Sequence, residues 1–169
     1  KNPSNLVGIK RSKRGGSMKL STKGRYGLRA LIDLAMHCET EAVSISCIAM
    51  RQGISESYLE QLMGKLRKAG LIVSVRGAQG GYRLAKDAAE ISVGDILRAL
   101  EGNLNAVECP GLQEDKGCEG AELCVTKYVW QRVNDSITQA VDEIKLDQLV
   151  TESKKAQKLN GNATIKCEN

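Results

Sequence analysis

Phenylalanine is absent from the 169 residues, and aromatic side chains make up only 3% of them. A core must therefore be assembled from Leu, Ile, Val and Ala, which favours helices over a β-sandwich. The chain also has no run approaching the roughly 18 apolar residues that a membrane span requires. No charged, apolar and small-residue succession of the signal-peptide kind opens it, so a cytoplasmic protein is expected. One histidine and no nucleophile-base pattern leave little catalytic chemistry to assign, and no enzyme is expected. A hydrophobic content of 41% suits one or two small folded units. The expected class is mainly α with a small β-hairpin.

The net charge of +5 is unevenly placed. Residues 1–17 hold Lys1, Lys10, Arg11, Lys13 and Arg14 without an acid. Met18 resembles a natural start, so residues 1–17 read as a cloning remnant or a disordered basic extension. Beyond them, residues 18–86 carry 11 Lys/Arg against 5 Asp/Glu, whereas residues 87–169 carry 9 against 15. Such asymmetry points the first half at phosphates, although an imbalance on solvated faces gives the same count.

Local patterns supply the elements. Leu28, Leu31, Ile32 and Ala35 recur at helical spacing behind Ser21 or Thr22 as N-caps. A short helix follows over about Ile45 to Arg51. Gly53 breaks the chain, Ser55 or Ser57 can cap a third helix, and Gly70 ends it. On that helix Leu59, Leu62 and Leu66 form an apolar stripe. Leu71 to Arg76 alternates as a strand, Gly77-Ala78-Gln79-Gly80-Gly81 makes a turn, and Tyr82 to Leu84 returns. Helix, turn, helix and hairpin together make a winged helix. Ser92 to Asp95 has capping-box spacing ahead of another helix that reaches about Gly102.

Residues 103–123 lack periodicity and hold Gly111, Gly117 and Gly120, which argues for a loop. From Val125 onward Trp130, Val133, Ile137, Ala140 and Ile144 follow seam spacing, which suits either a long dimerisation helix or an intramolecular stripe. The expected organisation is a winged-helix DNA-binding domain over 18–86, a cysteine loop and dimerisation helix over 87–150, and a mobile polar tail over 151–169.

A helix that enters the major groove needs polar side chains on one face and an apolar stripe on another. The candidates are Ser55, Ser57, Tyr58, Glu60, Gln61, Lys65 and Arg67. Gln61 can pair with adenine, Glu60 can accept from the cytosine amino group, and Ser55, Ser57, Lys65 and Arg67 can reach phosphates or bases. Arg76 and Arg83 flank the wing turn, where cations suit the minor groove or its phosphates. For any one of these helix residues alone a solvated face is the preferred reading, and it is their combination with a glycine-rich wing that points to DNA. The glycine-rich turn matches neither the P-loop nor the dinucleotide fingerprint.

Three of the six cysteines, Cys109, Cys118 and Cys124, crowd into one stretch. In a reducing compartment these are thiols or metal ligands rather than a disulfide frame. Their spacing fits neither a zinc ribbon nor a plant-type ferredoxin. Three soft donors suit an iron-sulfur cluster or zinc, each needing a fourth donor, and three unligated thiols fit too. Cys38 and Cys47 read as small core residues and Cys167 falls in the tail. A small electron carrier is a weaker alternative.

Met18-Lys-Leu-Ser-Thr-Lys-Gly-Arg-Tyr, Gly53-Ile-Ser-Glu-Ser-Tyr-Leu-Glu-Gln-Leu, Val75-Arg-Gly-Ala-Gln-Gly-Gly-Tyr and the cysteine trio together resemble the Rrf family of winged-helix transcription regulators. Within it the resemblance is to the IscR-like iron-sulfur cluster regulators, and it covers roughly residues 18–150. It implies a homodimer on a near-palindromic operator in double-stranded DNA, with Ser55, Ser57, Glu60 and Gln61 in the major groove and Arg76 in the minor groove. It also implies a cluster on Cys109, Cys118 and Cys124 that alters which promoters are bound, commonly those for cluster assembly. One departure concerns the fourth ligand. Similar regulators with a 2Fe-2S cluster have a histidine three residues after the last cysteine, where this chain has Lys127. Other relatives recruit an acid from the partner near the N-terminus, where this chain has Arg25. Glu108, Glu114, Asp115, Glu119 and Glu122 are local candidates and His37 is the only histidine, so the cluster stays open between 2Fe-2S, slightly favoured, and 4Fe-4S.

Overall fold

The computed structural model describes residues 21–38, 41–77, 80–112 and 118–159. The basic 1–17 segment, Ala78, Gln79, Glu114, Asp115 and Cys167 lie outside the described residues.

Small hydroxyl side chains start the helices. Helix α1 (Thr22–His37) is capped by Ser21, α2 (Ile45–Gln52) by Ser44 and α3 (Glu56–Lys68) by Ser55, each hydroxyl accepting from a backbone amide of the first turn. Between α2 and α3, Gly53 takes a left-handed conformation at φ 64°, which a side chain would resist. Strands β1 (Ile72–Val75) and β2 (Gly81–Leu84) pair antiparallel, with Ile72 opposite Leu84 and Val75 opposite Gly81. Val43 bridges the other edge of β2 through reciprocal 2.9 Å bonds with Tyr82. Ser92 and Asp95 close the expected capping box on α4 (Val93–Glu101). The chain continues through a loop into α5 (Thr126–Glu143) and α6 (Leu146–Leu159). The mainly helical winged helix expected from the sequence is thus the observed fold.

The core is aliphatic, as the absence of phenylalanine dictates. Leu31, Leu34, Ile48, Leu59, Met63, Leu66, Ile96 and Leu146 are all fully buried. Ile91, Ile96, Leu100 and Leu146 join the same cluster as the residues of α1 to β1, so one core runs across position 86. Helix α4 approaches α1 closely at Gly27, where an added Cβ would collide with Leu100.

Two expectations need correction. Residues 151–159, expected to open a mobile tail, are helical and continue α6. Leu146 sets this helix by inserting into the core, and its amide donates to the Ile91 carbonyl at 2.9 Å. Ile144, expected on the seam of the long helix, lies just past its end in extended backbone, because the Val93 amide takes its carbonyl at 2.9 Å.

Candidate nucleic-acid interface and cysteine loop

Helix α3 is divided as its sequence requires. Leu59, Leu62, Met63 and Leu66 are buried, while Ser55, Ser57, Glu60, Gln61 and Arg67 are exposed. Four leucine and methionine side chains at helical spacing hold the helix on its scaffold and leave the polar side open. Tyr58 is half-buried and meets Tyr26 of α1 edge-on, with ring centroids 6.1 Å apart.

Lys65 is exposed, but its ammonium donates to the Leu100 carbonyl at 2.8 Å. It thereby satisfies an open carbonyl in the last turn of α4, a role invisible in the local pattern. Arg76 and Arg83 are both exposed on the hairpin. A side chain at Gly81 would run into the Val43 carbonyl, so β2 can lie against Val43 only through glycine.

A buried ionic bracket supports the turn before α3. Arg51 grips Asp33 of α1 with both Nε and Nη2, the shortest contact being 2.7 Å, and Gln52 donates to the same carboxylate at 3.1 Å. The two charged side chains are only 8% and 6% exposed, so pairing is what permits their burial. His37 donates from Nδ1 to the Asp33 carbonyl at 2.7 Å, which ties it to α1. Glu101, at the end of α4, accepts from the Ser21 amide at 3.1 Å, the Ser21 hydroxyl at 2.5 Å and the Gly24 amide at 2.8 Å. It therefore caps α1 from a point 80 residues away.

The cysteine loop is held more sparsely. Asn134, the buried residue of α5, accepts from the Ala106 amide at 2.9 Å and donates to the Val107 carbonyl at 3.3 Å. Cys109 and Cys124 are half-buried, Cys118 is exposed, and all three are free thiols. The Cys124 sulfur shares a 3.0 Å hydrogen bond with the Thr126 hydroxyl. That bond, helped by the Lys127 amide and charge, pulls the thiol below its ordinary value. Among the described residues no three His, Cys, Asp or Glu groups converge into a metal cage. By donor chemistry the three free thiols fit a soft metal centre. Of the acidic candidates, Glu108, Glu119 and Glu122 are exposed. Lys127 lines an open groove of about 490 Å³ beside the loop, together with Tyr128, Gln131 and Asn134. Cys47 is buried and Cys38 packs against the core.

On α5, Trp130 and Val133 are 37% and 36% exposed and Ala140 is exposed, whereas Ile137 is half-buried. The seam is thus left largely uncovered within the protomer. Leu123, Val125, Tyr128 and Val129 enlarge this exposed apolar surface. Sequence spacing missed Val125, Tyr128 and Val129 because they fall off the seam period, and Leu123, one heptad before Trp130, lies ahead of the helix. Among the described residues no helix is long and apolar enough to cross a membrane.

Comparison with known proteins agrees with this geometry. The family model Rrf2, an iron-dependent transcriptional regulator, matches residues 20–152. The HTH-type transcriptional regulator IscR of Pectobacterium carotovorum subsp. carotovorum is 45% identical over 133 residues, covering 79% of this chain and 79% of the relative. Among solved structures, T. potens IscR is 48% identical with a TM-score of 0.65, covering 83% of this chain and 91% of that one. CymR, the global cysteine regulator of B. subtilis, is 41% identical with a TM-score of 0.66, covering 80% and 98%. The chain belongs to the Rrf2 family.

Proposed function

We propose that this chain is a dimeric transcription regulator that reads a near-palindromic DNA site and reports iron-sulfur cluster status through Cys109, Cys118 and Cys124. A DNA-binding transcription regulator of the IscR type, not an enzyme, is the function that family and relatives support. The observation that carries the reading is the exposed polar side of α3 beside the Arg76 and Arg83 hairpin, held rigid by a fully buried stripe. Ser55, Ser57, Glu60 and Gln61 are assigned to base edges and neighbouring phosphates of the major groove, with Tyr58 positioning the first turn. Arg67 and Arg83 are assigned to phosphates and Arg76 to the minor groove. Lys65 reaches DNA only if it exchanges the Leu100 carbonyl for a phosphate.

The exposed apolar surface of α5 is assigned to a second copy, which brings two reading heads to two half-sites. The loop thiols would hold a cluster, 2Fe-2S or 4Fe-4S, with a fourth donor from Glu108, Glu119, Glu122 or the partner. Such a group supplies metal-thiolate bonds that tie separate loop segments to one point. Asn134 anchors the start of that loop, and Lys65 and Glu101 join the end of α4 to α3 and α1. A second reading makes the trio a zinc or thiol redox site, favoured by the exposed Cys118 and the hydrogen-bonded Cys124.

Anaerobic purification followed by visible absorption, iron and sulfide analysis, and DNA binding against random competitor tests the whole. Bound iron and sulfide with a preferred genomic fragment is the expected result. Stoichiometric zinc without sulfide supports the second reading. A dimer with no sequence preference, loaded or stripped, overturns the regulator assignment.

A further inference from the structure

Helix α4 packs against both the reading helix α3 and the long helix α5, and the two are tied to it at opposite ends. At its start the Val93 amide donates to the Ile144 carbonyl at 2.9 Å, just past the end of α5. The Arg98 guanidinium reaches back along α4 to Asp95 at 3.3 Å and holds Asp142 of α5 with both terminal nitrogens, at 2.6 and 3.3 Å. A Cβ added at Gly94 would collide with the same Asp142 carboxylate, so the two helices close on each other there. At the other end of α4 the Lys65 ammonium of α3 donates to the Leu100 carbonyl at 2.8 Å.

These polar bonds add what the shared core does not. Leu66 of α3 and Ile96 and Leu100 of α4 are buried in one cluster, and apolar burial holds surfaces together without direction. A hydrogen bond from a charged donor is stronger than a neutral one and weakens steeply as its angle opens. Lys65 therefore resists sliding and rotation of α3 along α4, and Asp142 resists the same motions of α5. Through α4 the reading helix is set relative to α5. In a dimer joined along α5, that setting decides the separation and twist of the two copies of α3. One base pair added between half-sites turns one against the other by about 35° and shifts it by about 3.4 Å, a change that a rigidly held pair of reading helices cannot follow.

We infer that Lys65, on the Leu100 carbonyl, and Asp142, on Arg98, are positioning residues that make this regulator selective for one half-site spacing. This rests on the dimeric DNA-reading assignment and deepens it. Neither residue needs to touch DNA, since both act through α4.

The test uses the full-length dimer in a single metal state and fluorescent duplexes that carry the half-sites of a preferred fragment. Their separation is natural or changed by one or two base pairs. One added base pair should weaken wild-type binding by about tenfold, on the scale of a mismatched base pair. Lys65→Met and Asp142→Ala should each shrink that penalty by about threefold, as for the loss of one directional bond. Single-base discrimination within a half-site should stay the same. Thermal melts check folding, and Asp142, at 39% exposure, supplies the test should Lys65→Met fail to fold. A penalty unchanged in either folded variant, or equal weakening at every spacing as a merely structural role would give, overturns the inference and leaves the regulator reading intact. A slope of log K against log salt lowered by about 0.9 in Lys65→Met also overturns it, since the ammonium would then sit on a phosphate. So does a wild-type dimer that prefers the fragment but is indifferent to spacing. A wild-type chain without fragment preference removes the regulator reading and the inference together.

Discussion

The reading half and the cysteine half of this chain are built on different principles. From α1 to α4 the fold shares a continuous aliphatic core, completed by Leu146 of α6, with an internal ion pair and long-range caps at Ser21 and Leu100. From residue 103 to the end of α5 the anchors are polar, Asn134 holding the loop and Asp142 taking Arg98 of α4 at 2.6 Å, while Leu123, Val125, Tyr128 and Trp130 are exposed. One half is packed around a common core, whereas the other presents surface and thiols that a partner and a metal centre would complete. That division suits a sensor, since a segment of low local stability is the one a ligand can order.

The sharpest way to break this contrast is to disturb the buried bracket. Asp33→Ala takes the bidentate carboxylate from Arg51 and the acceptor from Gln52, and should cost about 3 kcal/mol, read from urea unfolding. Replacing all three loop cysteines with serine should move the metal-free chain by no more than about 0.5 kcal/mol. Equal losses would show that the two halves are not distinct.

Next in size, Gln61→Ala should remove about 1–3 kcal/mol of discrimination at a single base pair of each half-site. Binding to a panel of single-substitution duplexes checks it, and uniform weakening across the panel would count against base reading. A comparable but local effect is expected for Asn134→Ala. Losing its bonds to Ala106 and Val107 should cost about 1–3 kcal/mol in the loop, and hydrogen exchange should quicken there while the amides of α3 stay protected.

The smallest effect expected is acid sensitivity at the start of α4. Burial raises the Asp95 carboxyl, but bonds from the Ser92 amide and hydroxyl and from Arg98 outweigh it and hold the group below its ordinary value. The folded state therefore favours the ionised form. Its contribution is complete above the ordinary carboxylate range and fades as pH falls through the lowered value. Asp95→Asn should flatten the acid limb of the stability profile slightly, the residue being partly exposed. An unchanged profile would show that another carboxylate governs that limb.

Much of the reading head was legible in the sequence because its determinants are local. The Leu59, Leu62 and Leu66 spacing, the Ser55 cap, the Gly53 break and the Ser92 capping box each act within one or two turns. Lys65 shows where such reasoning stops. Nothing near it in sequence announces that its ammonium meets a carbonyl 35 residues away. Helix α6 was missed for the same reason, since its polar sequence hides the anchoring of Leu146 under Ile91. The thiol trio was visible as composition, while the exposure of Cys118 and the Cys124 bond to Thr126 were not, because loop geometry leaves no period in the sequence.

By itself the sequence determined the helical class, the caps, the turn and the two faces of α3, since these follow from hydrophobic period and short-range hydrogen bonds. Only the tertiary structure decided that Glu101 caps α1, that Arg51 pairs with Asp33 and that α5 keeps its seam uncovered. Those outcomes depend on which distant surfaces meet in the packed core, and periodicity along a chain carries no information about distance across it.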